Sequence, residues 1–117
     1  MNIPTENQGG DCYVVAYRYF MEHNFEYENL RLVHGLVTGQ GAIAGIVYNH
    51  AWVEDIDERI VYDMTMPESF RVVPSFIYYQ LGKIQTTYKY DYKEVVEKSM
   101  EYETYGPWEE ELINNEY

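Results

Sequence analysis

Residues 46–65, IVYNHAWVEDIDERIVYDMT, decide how this chain is read. The β-branched and aromatic residues from Ile46 to Glu54 predict a strand, the polar run DIDER a turn, and Ile60 to Thr65 a returning antiparallel strand. If the turn is centred between Asp57 and Glu58, Trp52 faces Asp63 and His50 faces Thr65. His50, Trp52 and Glu54 then share one sheet face with Val61, Asp63 and Thr65, and His50 and Asp63 are diagonal neighbours. A register slipped by two puts His50 directly opposite Asp63, and only an odd slip would send the two to opposite faces. A carboxylate beside an imidazole fixes its tautomer and stabilises its protonated form, so the hairpin predicts a His-Asp pair.

Working toward the N-terminus, residues 1–10 are polar and end in Gly9 and Gly10, which reads as a loop. Asp11 is placed to cap a helix from Cys12 to His23, with Val15, Ala16, Tyr19 and Phe20 at helical spacing. Cys12 in the first turn would feel the positive end of the helix dipole, which favours a thiolate. A nucleophilic thiolate needs a base within reach. His23 lies on the same helix, about 16 Å from Cys12 at ~1.5 Å per residue, too far to serve. His34 lies mid-strand in residues 31–38, RLVHGLVT, and is a second candidate partner; Gly35 beside it reads as a bulge. His50 has the carboxylate that His34 lacks.

Toward the C-terminus, Pro67 and Pro74 punctuate a loop, and Ser75 to Leu81 can form a short helix. Residues 83–90, KIQTTYKY, have a strand's composition. Asp91 and Glu94 form a capping-box pattern ahead of a helix that would bury Val95, Val96 and Met100. The acidic tail, EEELINNEY, reads as a further turn or a solvated, frayed end. One α+β domain over residues 1–117 is expected: a Cys-bearing N-terminal helix packed on a small, mainly antiparallel sheet, with a C-terminal helix.

The stretch from Asp11 to Thr65 resembles the transglutaminase-like branch of the papain-like superfamily. In that branch a Cys opens a helix, and strands follow with a His-Ala-Trp motif and then an Asp-x-Thr motif. Here these are DCYVVAYRYF at 11–20, HAWVE at 50–54 and DMT at 63–65. The resemblance implies a Cys12 nucleophile, His50 as general base and later acid, and Asp63 as the orienting carboxylate. It implies cysteine-dependent acyl hydrolysis or transfer on an amide in a protein or peptide. It also implies an oxyanion donor from the Gln8 side chain or the Cys12 backbone N–H. Trp52 would pack beside the catalytic face and contact substrate secondarily.

Composition limits the alternatives. A formal net charge of −12 opposes the cation-to-phosphate contacts that dominate nucleic-acid affinity, so no direct nucleic-acid binding is expected. A basic protein partner fits the charge better. The competing expectation is a catalytically inactive acidic binding protein, such as a virus-encoded one, that captures a basic host protein or imitates nucleic acid. Tyr supplies 14 residues, expected half-buried with hydroxyls toward water or partners. A single Cys excludes an internal disulfide, and neither a leader-like nor a membrane-spanning apolar run is present, so a complete, cytoplasmic chain is expected. One Cys and three His with no close ligand pair favour no metal site, and no cofactor is implied.

Overall fold

Helix α1 spans Gln8–His23 and β1 spans Leu30–Thr38; β2 (Val47–Asp55) and β3 (Ile60–Tyr62) form the expected hairpin. Strand β4 (Val72–Pro74), helix α2 (Ser75–Leu81), β5 (Thr87–Tyr90), α3 (Tyr92–Tyr102) and the short α4 (Glu110–Ile113) follow. The computed structural model describes residues 8–24 and 28–115, with side chains from Cys12 onward. The five strands form one antiparallel sheet in the order β4-β3-β2-β1-β5. The architecture is α+β: the Cys-bearing N-terminal helix packs on this sheet and helical segments close the C-terminal part.

Both faces of the sheet are covered, and strand alternation sorts the core into two layers. Leu30, Leu32, Ala51, Val53 and Tyr90 pack with Cys12, Tyr13, Ala16 and Phe20 of α1, together with Val95 and Trp108. Val33, Val37, Trp52, Val61, Val73 and Tyr78 form the layer on the other side. That two-sided burial explains why the consecutive residues Leu32, Val33 and His34 of β1 are all fully buried rather than alternately exposed.

The hairpin register is the one centred on the turn. Val53 pairs with Tyr62, Glu54 with Val61 and Asp55 with Ile60. Asp55 sets the turn by accepting the backbone N–H of Asp57 at 3.0 Å and of Glu58 at 2.9 Å, an Asx-type brace. The capping box forms as read: Asp91 accepts the Glu94 N–H and the Glu94 side chain accepts the Asp91 N–H.

Several local expectations are corrected. Helix α1 begins at Gln8, so Gly9, Gly10 and Asp11 are helical rather than loop and cap, and Cys12 falls in the second turn. Strand β1 passes through Gly35 without a bulge, pairing it with His50 on one side and Thr87 on the other. A Cβ there would stand 2.7 Å from the Thr86 carbonyl and 2.9 Å from the Trp52 ring, so glycine is required by crowding. Strand β3 ends at Tyr62, and the Asp63 N–H still donates to the Arg71 carbonyl at 2.8 Å, one rung further along the pairing with β4. Met100 is exposed, since five helical positions rotate it well away from the buried Val95. The tail is not a solvated face throughout: Leu112 is fully buried and Trp108 nearly so. No helix among the described residues is long and apolar enough to cross a membrane.

Candidate active site

Strand β2 presents His50 at the point where β3 has already ended, so the hairpin face is open beside it and the chain after Tyr62 can bend over the imidazole. Asp63 uses that opening. Its Oδ2 lies 2.9 Å from His50 Nε2, and the same oxygen accepts the Tyr78 hydroxyl at 2.6 Å. Its Oδ1 accepts the backbone N–H of Thr65 at 3.0 Å and the Thr65 hydroxyl at 2.5 Å. Four hydrogen bonds thus converge on one carboxylate that is only 2% exposed. Burial alone would raise the Asp63 pKa, but His50, Thr65 and Tyr78 outweigh it and hold it below the usual carboxylate value.

Cys12 completes the cluster from the other layer. Cys12, Ala16 and Phe20 recur every four residues and are all buried, so this stripe lays α1 on the sheet and brings its first member to His50. Burial disfavours the His50 imidazolium; the hydrogen bond to Asp63, the hydrogen bond to Cys12 and the negative charge of both partners reverse this and push its pKa up to about 10. With Nε2 committed to Asp63, Nδ1 is the nitrogen left for Cys12. The three sequence-predicted residues are therefore brought together in the order Cys12, His50, Asp63.

A long-range contact fixes this approach. The Tyr13 hydroxyl donates 2.8 Å to the Asn49 side chain, tying the residue after Cys12 to the residue before His50. Asn49 is itself held by the tail: its Nδ2 donates to the Leu112 carbonyl at 2.6 Å and its backbone N–H to the Asn115 carbonyl at 2.9 Å. Tyr78 and Asn49 are the two site residues that sequence reasoning missed. The Tyr-rich composition raised hydroxyl partners as a class, but pairings across 15 and 36 residues leave no local pattern.

Other expectations fall out differently. Trp52 is fully buried, with its ring 5.2 Å from Tyr78 and 6.1 Å from His50 between centroids. It supports the imidazole from beneath and offers no surface to substrate. The Cys12 N–H, from the fifth residue of α1, is directed to the Gln8 carbonyl in the helical ladder, which removes it as an oxyanion donor. The Gln8 side chain lies outside the described residues. His34 sits on the α1 side of β1, 0% exposed, and takes no part in the triad. Glu54, on the His50 face, accepts the Tyr79 hydroxyl at 2.6 Å and the Ser75 hydroxyl at 3.1 Å, with Lys89 3.6 Å away. This second buried carboxylate fastens α2, and with it Tyr78. Among the described residues no group of three or more His, Cys, Asp or Glu could hold a metal ion.

A cavity of about 330 Å³ opens beside this cluster, with His50 and Tyr78 in its wall. A larger groove of about 510 Å³, lined by Tyr13, Tyr17 and Tyr105 among others, includes none of the triad. Comparison with family models, with curated proteins and with solved structures returned no match for this chain.

Proposed function

We propose that this chain is a cysteine-dependent acyl hydrolase or acyltransferase of the papain-like, transglutaminase-like kind, acting on an amide in a protein or peptide. The observation that carries the reading is His50 held between Cys12 and a buried, fourfold hydrogen-bonded Asp63. The raised proton affinity of His50 favours transfer of the Cys12 proton to the imidazole. The resulting thiolate attacks the carbonyl carbon, forming the C–S bond and an oxyanion, for which the Gln8 side chain is the candidate donor. Collapse breaks the C–N bond, and the His50 imidazolium gives its proton to the departing amine. Water, or an acceptor amine, then gives a proton to His50 as it attacks the thioester, and the thiolate leaves. Asp63 keeps its charge throughout and holds the imidazole in the productive tautomer.

The test is the rate of Cys12 alkylation by iodoacetamide from about pH 4 to about pH 10, in the native protein and in His50→Ala. A plateau reaching well below the ordinary thiol pKa of ~8.5, and lost in the variant, is the expected result. A rate that follows an ordinary thiol titration identically in both proteins overturns the proposal.

A further inference from the structure

The cavity beside the triad has a defined chemical character. Besides His50 and Tyr78, its walls include Val37, Ile43, Phe70 and Ile84, and no Lys, Arg, Asp or Glu among the described residues lines it. Its volume of about 330 Å³ is about twice that of an engineered apolar cavity of about 150 Å³ that takes up benzene. The rim is tied rather than loose. The Thr38 N–H donates to the Gly82 carbonyl at 2.7 Å, and the Gln40 side chain donates to the Leu81 carbonyl. These bonds join the end of β1 and the turn after it to the end of α2. Such a space is preformed, so filling it with an apolar group incurs little ordering cost.

We infer that this cavity receives an uncharged apolar group, a ring or a medium alkyl chain, on the acyl side of the carbonyl that Cys12 attacks. The inference rests on the acyl-transfer reading. Its reasoning is geometric: His50, which is hydrogen-bonded to Cys12, forms part of the cavity wall, so the cavity is the apolar space adjoining the reacting pair. The acyl side is chosen because the acyl group stays bound through both half-reactions, whereas the leaving group must depart first. A cavity tied at its rim suits the group that stays.

The experiment is a series of p-nitrophenyl esters, acetate, butyrate and hexanoate, compared with acetate esters of increasingly long alcohols. In each, the thiolate displaces the alcohol, which takes its proton from His50, and water releases the acid. In the acyl series kcat/KM should rise about fourfold per methylene, with no comparable gain in the alcohol series. Ile43→Trp and Leu81→Trp, which fill the cavity from two different walls, should each erase the gain along the acyl series. Binding of hexanamide against acetamide to the Cys12→Ser protein reads the cavity without catalysis, and hexanamide should bind more tightly, with the preference lost in Ile43→Trp. Cys12-dependent acetate turnover with a flat acyl series overturns the cavity assignment alone, as does a gain confined to the alcohol series. If no ester is turned over and Cys12 is unreactive, the acyl-transfer reading fails. Equal binding of the two amides then overturns the cavity assignment as well.

Discussion

His34 makes the chain sensitive to mild acid, and the size of the effect follows from its surroundings. Its ring is fully buried, neither nitrogen has a hydrogen-bond partner, and its neighbours are Tyr13, Trp108 and Tyr90 with centroids 4.7, 4.8 and 5.2 Å away. Burial lowers its pKa from 6.5 to about 3. The unfolded chain therefore takes up a proton near pH 6.5 that the folded chain refuses, and stability is lost as pH falls from 6.5 toward 3. At ~1.4 kcal/mol per unit, the loss attributable to His34 is about 2 kcal/mol by pH 5, above the range where ordinary carboxylates titrate. His50 has the opposite sign. Its pKa is raised to about 10, so its contribution is complete below pH 6.5 and declines as pH rises from 6.5 through 10. Together the two histidines place the stability maximum near pH 6.5. The assay is urea unfolding, followed by Trp fluorescence, at pH 7, 6 and 5 and constant ionic strength, in the native protein and His34→Leu. The acid loss in the native protein should exceed that in the variant by about 2 kcal/mol. At pH 7 the variant should be no less stable, because it removes two unsatisfied buried nitrogens. Equal acid slopes in the two proteins would refute the argument.

Three further outcomes follow from named contacts. Tyr78→Phe deletes one of the four hydrogen bonds to Asp63 and should cost about 1.5–3 kcal/mol, read by urea unfolding at pH 7; it should also raise the pH at which the Cys12 alkylation plateau fails on the acid side. Gly35→Ala forces a methyl against the Thr86 carbonyl and Trp52 and should destabilise by about 1–3 kcal/mol, read as a lowered thermal midpoint. Asn49→Ala strands the Tyr13 hydroxyl and the Leu112 carbonyl, so stability should fall by about 1–3 kcal/mol and the low-pH alkylation plateau should shrink with it.

The parts of this molecule legible in its sequence are those set by local periodicity. Face alternation across one hairpin is enough to put His50 beside Asp63, and the observed pairing of Glu54 with Val61 is the register that the DIDER turn implies. Likewise Ser75–Leu81 and the Asp91–Glu94 cap depend on residues within a turn of one another. What escaped reading depends on tertiary partners. Whether Gly35 marks a bulge or a close approach is decided by the ring of Trp52, two places beyond its paired residue on β2. Leu112 is buried within an acidic tail, and its carbonyl accepts the Asn49 side chain, a partner 63 residues away that leaves no local pattern. The start of α1 at Gln8 shows the same limit, since two glycines read locally as loop are carried into a helix whose downstream stripe is anchored on the sheet.

The Asn49 clamp also bears on how the protein is made. Cys12, His50 and Asp63 all leave the ribosome before residues 112–115, yet the carbonyls of Leu112 and Asn115 hold Asn49, which in turn holds Tyr13 beside Cys12. A chain still in synthesis can form the hairpin and the helix but lacks the brace that seats the thiol against its base. Under the proposed function, seating Cys12 against His50 requires residues 112–115 to be in place, and a nascent chain that lacks them carries Cys12 without this brace.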